Sequence, residues 1–282
     1  MLYVVGTPIG NEADFSSRAK DILTSVDLIA CEDTRTTALF LSRFSIRNQL
    51  ISYHEHNRAK RNGEILQMLQ DGKNIALVSD AGMPCISDPG AELVRVCRDE
   101  KMRVTVIPGP VAAVSALVVS GLDTRRFFFE GFLPVSGKER KERLSELADT
   151  KHTFVLYEAP HRLLRTLDDL NKNGFAERDM TICRELTKKY EEIIYTTVSG
   201  AADVFSSKEP KGEFVLVIAG APAASKVTAF DTLGEEEKSE AIIERKERGM
   251  STKEIAKELS GKWKIPQKQV YQMVIQLAED LV

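Results

Sequence analysis

Residues 74–90, NIALVSDAGMPCISDPG, join a strand-like apolar segment to a loop that is rich in turn-forming residues. NIALV at 74–78 has the apolar character of a strand that is buried on both faces. SDAGMPCISDPG at 79–90 contains two aspartates, two glycines and two prolines. Glycine lets a backbone approach a ligand closely, and proline fixes the shape of a loop. The stretch therefore predicts a ligand-binding loop at the end of a core strand.

The first 110 residues alternate strand-like and helical segments, which is typical of a parallel sheet covered by helices. Strands are predicted at residues 2–6, 27–31, 49–53, 74–79 and 103–108. The helical segments between them carry apolar residues at the 3.6-residue period, as Ala19, Ile22 and Leu23 do. We therefore predict an N-terminal α/β domain over residues 1–115.

The pattern changes after this segment, where predicted strands follow one another through shorter connections. Strands are predicted at 125–134, 153–157, 179–186, 191–198 and 213–219, and helices at 138–148 and 161–170. Short connections between neighbouring strands favour a mixed, partly antiparallel sheet. Residues 116–220 are therefore predicted to form a second α/β domain.

The C-terminal segment, residues 231–282, is predicted to be a small helical domain that resembles a helix-turn-helix. A small, polar linker, GAPAASKVTAFDT at 220–232, precedes it. Ser251 and Glu254 form a capping box, and SGKWK at 260–264 is predicted to be a turn. The residues expected to be exposed for contact with a nucleic-acid backbone and bases are Lys262, Trp263, Lys264 and Lys268. The alternative is a helical cap that packs on the main body or on a partner subunit.

Composition disfavours several classes of protein. The chain has 282 residues and a net charge of −3, which argues against a surface that binds nucleic acid throughout. No apolar run approaches the roughly 20 residues of a membrane span, and the N-terminus lacks the basic region of a signal peptide. The four cysteines form no C-x-x-C pair. The pattern predicts neither a zinc site nor a disulfide framework, and it favours a cytoplasmic location.

Three turn-rich loops follow predicted parallel strands: GTPIGN at 6–11, SDAGMPCISDPG at 79–90 and PGPVAA at 108–113. Ligands of parallel sheets bind outside the carboxyl ends of the strands, so three such loops predict a binding site. None matches a dinucleotide fingerprint or a P-loop. Glu32 and Asp33 follow the second strand, where an acid suits a nucleoside-like ligand. Tight turns without a ligand are the alternative.

The segment HEH at 54–56 raises the question of a metal site, since alternate residues of a strand share one face. No third ligand of suitable spacing accompanies it, so no metal is predicted. His54 and His56 are predicted to be polar surface or to contact a nucleic acid.

Seven motifs occur in order across residues 4–192: VGTPIGN, CEDTR, SYHEHN, SDAGMPCISDPG, VIPGP, YEAPHR and RELTKKYEE. Together they resemble the tetrapyrrole-methylase superfamily, and most closely its ribosomal RNA branch. That branch 2′-O-methylates a cytidine of 16S rRNA in the decoding centre. The tetrapyrrole branch usually carries a GDP loop where this chain has AGMP at 81–84, which disfavours a tetrapyrrole substrate.

The resemblance implies S-adenosylmethionine in a cleft between the two α/β domains. It also implies 16S rRNA or the small ribosomal subunit as substrate, and a homodimer. By motif position, the implied cofactor-binding residues are Pro8, Ala81, Gly82, Met83, Ile86, Val111, Ala112, Ala113, Tyr157, Glu158, Leu186, Gly212, Glu213 and Phe214. In the loop at 79–90, backbone rather than side chains would then meet the cofactor.

A ribose 2′-hydroxyl needs a base to take its proton, whereas a sulfonium methyl donor needs no metal. The candidate bases are Glu32, Asp33, Asp80 and Lys188, as a desolvated carboxylate or a lysine of depressed pKa. Spacing does not choose between them. Arg35 is predicted to bind RNA phosphate; alternatively, Asp33 caps a helix and Arg35 is solvated. Arg162 is predicted either to orient the substrate or simply to cap the helix that begins after Pro160.

Two other functions remain open at this point. One is a methyltransferase that acts on a tetrapyrrole or another small molecule. A porphyrinoid absorbance band in the purified protein would favour this function. The other is a non-enzymatic nucleic-acid-binding protein that uses its C-terminal helices, for which a failure to bind S-adenosylmethionine would speak.

Overall fold

A computed structural model describes residues 1–205, 209–222, 230, 233–263 and 265–279. The chain divides into two compact units, Met1–Ala221 and Pro222–Val282. Among the described residues, no helix combines the length and apolar character that crossing a membrane requires.

Five strands build the first sheet of the larger unit: β1 (Leu2–Val5), β2 (Leu28–Cys31), β3 (Leu50–Ser52), β4 (Ile75–Leu77) and β5 (Val104–Ile107). They are parallel throughout and lie in the order β3-β2-β4-β1-β5. Its connecting helices are α1 (Ser17–Ser25), α2 (Thr34–Arg43), α3 (Arg58–Gln70) and α4 (Ala91–Asp99). A short 3-10 helix, Glu12–Asp14, precedes α1. The predicted parallel sheet is confirmed.

Apolar side chains cover both faces of this sheet. Ile29 packs in one core cluster with Leu23 of α1, whereas its neighbour Leu28 packs in another with Ile65 and Leu69 of α3. Successive strand residues point to opposite faces, so an uninterrupted apolar strand serves two cores.

The second sheet contains β6 (Phe127–Phe132), β7 (Thr153–Glu158), β8 (Asp179–Arg184), β9 (Glu192–Thr197) and β10 (Phe214–Ile218). The order is β6-β7-β10-β8-β9, with β6 parallel to β7 and the other pairs antiparallel. The predicted mixed sheet is confirmed. The accompanying helices are α5 (Ala112–Val119), α6 (Gly137–Asp149), α7 (Pro160–Leu170), a short π-helix (Asn171–Phe175) and α8 (Val198–Phe205).

Helix α5 packs against the second sheet, although it directly follows the loop after β5. Its residues Ala113, Ala116 and Leu117 share a core cluster with Val155 of β7 and Val217 of β10. The boundary predicted after residue 115 therefore lies inside α5.

The unit Pro222–Val282 contains α9 (Glu235–Glu247), α10 (Thr252–Trp263) and α11 (Gln267–Glu279) around one core. The capping box forms, because the Glu254 N–H donates to Ser251 Oγ at 3.3 Å and the Ser251 N–H donates to Glu254 Oε2 at 2.9 Å. Most of the predicted linker, residues 223–229 and 231–232, lies outside the described residues.

The predictions for residues 260–264 are corrected for the part that the structure describes. Helix α10 continues through Trp263, so the expected turn is wrong up to that residue, and the side chain is only 1% exposed. Trp263 follows Leu259 by four positions and therefore extends the apolar face of the helix. A single glycine, Gly261, costs a helix only about 1 kcal/mol and does not end it. Lys264 lies outside the described residues.

Candidate functional site

The three loops predicted to meet lie side by side, because β4, β1 and β5 are neighbours in the first sheet. The Gly6 N–H donates to the Ile107 carbonyl at 3.0 Å, and the Thr7 N–H donates to the Gly82 carbonyl at 2.9 Å. A Cβ on Gly6 would lie 2.7 Å from the Gly109 Cα, which is too close. The predicted convergence is confirmed, and it depends on bare backbone where the first and third loops touch.

The loop at 79–90 holds non-glycine residues in the left-handed backbone region. Cys85 has a φ of 74° and Ser87 a φ of 64°. Such conformations cost of order 1–3 kcal/mol each and cluster at functional sites, where the surrounding structure enforces them. The loop therefore stores strain beside Ile86 and Asp88.

A cavity of about 330 Å³ opens between these loops and the second sheet. Its size is at the lower end of the range for small-molecule sites. The loop side is lined by Ile9, Ala81, Gly82, Met83, Ile86, Ser87, Asp88, Val111 and Ala112. The opposite side is lined by Phe132, Tyr157, Glu158, Ala159, Pro160, Glu213, Phe214 and Val215.

The wall from the second sheet is set by strand register. Tyr157 and Glu158 of β7 pair with Val215 and Phe214 of β10, which brings two segments distant in sequence to one place. The Tyr157 hydroxyl accepts a hydrogen bond from the Ala113 N–H at 3.0 Å. Tyr157 thereby joins β7 to the first turn of α5.

Glu158 is buried and fully engaged. It accepts hydrogen bonds from the Ala159 N–H at 2.9 Å and from the Thr166 hydroxyl, and it pairs with Arg162 at 3.3 Å. Arg162 also donates to the Leu133 carbonyl. The hydroxyl of Thr166 in turn accepts from Arg140, a buried arginine of α6. The structure therefore engages Arg162 in anchoring α7, a helix-start role, and leaves its guanidinium little freedom to orient a substrate.

The charges in the cavity lining are all negative. Asp88, Glu158 and Glu213 contribute carboxylates, and the described lining residues include no lysine, arginine or histidine. Such a cavity is electrostatically complementary to a cationic ligand.

Two further carboxylates face Asp88 from neighbouring strand ends. Glu32 follows β2, and Asp80 follows β4. Burial, and then repulsion from Glu32 and Asp80, raises the pKa of Asp88 to about 6. Burial and the Asp80 charge also raise the pKa of Glu32. This group of three carboxylates was not foreseen as a unit, because strand order brings it together.

None of the four candidate bases lines the cavity. Asp33 caps α2 by accepting from the N–H groups of Arg35 and Thr36, and hydrogen bonds from the Arg35 side chain and from this backbone lower its pKa to about 2. Lys188 pairs with Glu185 at 2.9 Å and with Glu213 at 3.0 Å. Although partial burial acts to lower it, these hydrogen bonds raise the pKa of Lys188. The depressed pKa considered for Lys188 is therefore wrong.

The predicted substrate contacts are dispersed. Arg35 has a side chain that is 91% exposed and pairs with Asp33 at 3.0 Å. His54 and His56 lie in a turn between β3 and α3, with ring centroids 6.1 Å apart, so placing them on a strand is wrong. Strand β3 ends at Ser52, before either histidine. In the part of the chain that the structure describes, no group of three side chains could hold a metal.

The cavity contains most, but not all, of the residues to which the resemblance assigns the cofactor. Those outside its lining are Pro8, Ala113, Leu186 and Gly212. Lining residues that sequence reasoning missed are Ile9, Ser87, Asp88, Phe132, Ala159, Pro160 and Val215. Five of the seven lie within the quoted motifs, so proximity to a motif was the available signal. Phe132 and Val215 reach the cavity only through sheet pairing.

Two known proteins of similar sequence carry the same name. The chain is 45% identical over 280 residues to the ribosomal RNA small subunit methyltransferase I of Synechocystis sp., with 99% of each chain covered. It is 42% identical over 274 residues to the protein of that name from Bacillus subtilis, covering 96% of this chain and 92% of the other.

Solved structures of similar fold are methyltransferases and a synthase. Uroporphyrin-III C-methyl transferase from Thermus thermophilus, complexed with S-adenyl homocysteine, gives a TM-score of 0.57 at 16% identity, covering 77% of this chain and 96% of the other. Diphthine synthase gives 0.60 at 11% identity, covering 77% and 89%. The predicted two-sheet α/β fold is confirmed.

The model of the family described as Tetrapyrrole (Corrin/Porphyrin) Methylases matches residues 1–202. The chain therefore belongs to the tetrapyrrole methylase family and, within it, to the ribosomal RNA small subunit methyltransferase I proteins.

Proposed function

We propose that the chain transfers a methyl group from S-adenosylmethionine to the 2′-hydroxyl of a cytidine ribose in 16S rRNA, at the decoding centre. The observation that carries the proposal is the 45% identity, over 99% of both chains, to a protein named for small-subunit rRNA methylation. The tetrapyrrole methyltransferases of similar fold are too distant in sequence to favour a small-molecule substrate. Their likeness bears on the fold alone.

The cavity fits S-adenosylmethionine in size and charge. The cofactor carries a sulfonium, an ammonium and a carboxylate group and is therefore a net cation, and the described lining offers carboxylates with no basic side chain. Met83, Ile86 and Val111 supply apolar surface for its uncharged parts. A solved protein of similar fold was crystallised with S-adenyl homocysteine. Bound here, the cofactor would supply an electrophilic methyl group.

We assign cofactor contact to the predicted residues that line the cavity: Ala81, Gly82, Met83, Ile86, Val111, Ala112, Tyr157, Glu158, Glu213 and Phe214. Pro8, Ala113, Leu186 and Gly212 do not line the cavity. Ala113 and Leu186 pack in the same core cluster as the lining residues Ile9 and Val215, and the Ala113 N–H also donates to the Tyr157 hydroxyl.

For the RNA substrate, we propose phosphate contact by Arg35, whose guanidinium is exposed and held in a fork by Asp33. His54 and His56 follow the carboxyl end of β3, the strand that pairs with β2. They are proposed to contact nucleotides near the one that Arg35 binds. In the C-terminal unit, Lys262 and Lys268 are exposed and keep their proposed role with the RNA backbone. Base stacking by Trp263 is withdrawn, because its ring is buried.

We propose the predicted domains at residues 1–115, 116–220 and 231–282, except that all of α5 belongs with the second of them. We also propose a homodimer in the cytoplasm. Exposed apolar side chains on β5, α5 and β6 support self-association. They are Val106, Val114, Val118, Phe127 and Phe128. Light scattering after size exclusion measures the mass directly. A monomer at micromolar concentration would contradict the dimer.

The function is tested with labelled S-adenosylmethionine and small ribosomal subunits that lack the modification, with naked 16S rRNA in parallel. Transfer to RNA in either sample supports the proposal, and transfer to subunits alone makes the folded particle the substrate. Cofactor binding without transfer to either sample would contradict the rRNA substrate.

A further inference from the structure

Three carboxylates line the cavity, and two of them are already engaged. Glu158 is buried and takes part in the network with Thr166 and Arg162. Glu213 is largely exposed and pairs with Lys188 at 3.0 Å. A general base needs a carboxylate oxygen without a hydrogen-bond or ion-pair partner before the substrate binds. Neither Glu158 nor Glu213 meets this condition.

Asp88 is the third lining carboxylate, and its side chain has no hydrogen bond or ion pair within the described residues. The charged and titratable groups that face it are Glu32, Asp80, Cys85 and Tyr157. None of these four is a cation. The carboxylate is therefore half-buried, unpaired and opposed by two like charges, which is a costly arrangement for a residue with only a structural role.

The backbone fixes where this carboxylate points. Ser87, directly before Asp88, is held at a φ of 64°, and Gly90, two positions later, at a φ of 139°. A Cβ on Gly90 would lie 2.7 Å from Cys85 Sγ, so the loop closes tightly upon itself. Strain of this kind is maintained where a side chain must be presented at a defined position.

We propose that Asp88 is the catalytic base for methyl transfer, an inference that rests on the proposed function. Asp88 accepts the proton of the acceptor hydroxyl as that oxygen forms its bond to the methyl carbon. The carbon–sulfur bond breaks, and its electron pair stays on sulfur, which becomes a neutral thioether. The proton then passes from Asp88 to water, and the carboxylate is restored.

Glu32 and Asp80 act as positioning residues for this chemistry. Together with burial, which contributes most, their charges raise the pKa of Asp88, so that it is a stronger base than an ordinary aspartate and is still mostly ionised at neutral pH. Removing either charge should weaken the base without touching the reacting atoms.

The test is single-turnover methylation of unmodified small subunits at saturating S-adenosylmethionine, with cofactor affinity measured by calorimetry. Asp88→Asn is expected to lower the rate at least about 100-fold, the usual contribution of a general base, and to change the cofactor Kd by less than about threefold. Asp88→Glu should recover part of the rate. Asp21→Asn, an exposed carboxylate on α1, is the matched control and should behave as wild type.

The pH profile supplies the second readout. The wild-type rate should fall on the acid side with a midpoint near the Asp88 pKa of about 6. Because a like charge raises that pKa, Glu32→Gln should move the midpoint to lower pH. This variant keeps the test valid if Asp88→Asn fails to fold.

Two results would overturn the inference. One is Asp88→Asn with a rate within threefold of wild type. The other is a cofactor Kd raised at least tenfold with the saturated rate unchanged, which would make Asp88 a cofactor contact. Either result can be observed only if the wild-type enzyme methylates small subunits. If the proposed function is wrong, the wild-type enzyme itself transfers no methyl group, so the two failures can be distinguished.

Discussion

At the scale of single residues, the site is decided by which polar groups find partners. Asp33 finds backbone and side-chain donors, Lys188 finds two carboxylates, and Asp88 finds none among the described residues. The sequence presents all three as comparable titratable residues in motifs. Asp33 finds its partners within three residues, whereas Glu213 reaches Lys188 and Glu32 faces Asp88 only through the fold. Spacing alone therefore does not show which titratable group is left unpaired. For that reason the general location of the site was predictable and its base was not.

Tyr157 tests the contact between the two walls of the cavity. Tyr157→Phe removes the acceptor of the Ala113 N–H, so we expect a loss of about 1 kcal/mol of stability and severalfold weaker cofactor binding. Thermal denaturation and calorimetry measure these. Tyr195→Phe is the control, because the Tyr195 hydroxyl donates to Val119 at the other end of α5, away from the cavity. Equal losses of cofactor affinity in both variants would count against the assigned wall.

Asp88 should also make folding stability depend on pH. Its pKa is raised from 3.8 to about 6 in the folded protein, so the folded state binds more protons in that window. Stability from this group is therefore present below about pH 4 and is lost as pH rises through 6. After discounting for solvent screening, Asp88→Asn should stabilise the protein at pH 7.5 by about 1 kcal/mol and by less at pH 5. Equal or lower stability of the variant at pH 7.5, measured by urea denaturation, contradicts this.

At the scale of elements, periodicity identified most helices and strands, and the failures have local causes. Helix α8 was missed because a predicted strand extended into its start and Gly200 lies within it. The predicted end of α10 fell too early, because Gly261 suggested a turn, whereas Trp263 continues the apolar face of the helix. Hydrophobic periodicity does not show which strands pair with one another. For this reason Phe132 and Val215 were not predicted to line the cavity.

Two glycines make a matched pair of tests. Gly6→Ala places a Cβ 2.7 Å from the Gly109 backbone, so it should force the first and third loops apart and weaken cofactor binding at least tenfold. Gly63 lies exposed inside α3 with nothing within 4 Å of an added Cβ. Gly63→Ala should therefore stabilise the protein by about 0.5–1 kcal/mol and leave binding unchanged. Cofactor titration and chemical denaturation report both effects, and unaltered binding in Gly6→Ala would argue against the close approach.

At the scale of the whole molecule, the chain divides into two units with separate cores. Every residue that lines the cavity belongs to the unit Met1–Ala221. The polar linker predicted at 220–232 and the helical segment predicted after it indicated this division from the sequence. The burial of Trp263 was not foreseen, because a tryptophan between two lysines also fits an exposed nucleic-acid contact.

Trp263 allows the second unit to be followed separately. It is the only tryptophan of the chain, so its fluorescence reports unfolding of that unit. Trp263→Ala should cost about 3–5 kcal/mol of that unit's stability, as measured by circular dichroism in urea. The cofactor Kd should stay unchanged, and Lys262→Ala, an exposed neighbour, should leave stability as in wild type. A large change in cofactor affinity in Trp263→Ala would show that the cavity depends on the second unit.

The most direct test of the account is the chemical identity of the methylated nucleoside. Small subunits modified with labelled S-adenosylmethionine are digested to nucleosides and separated by chromatography with mass detection. We expect label in 2′-O-methylcytidine from a single site of 16S rRNA, at a rate that falls at least about 100-fold in Asp88→Asn. Label on a base, or on a nucleoside other than cytidine, would contradict it.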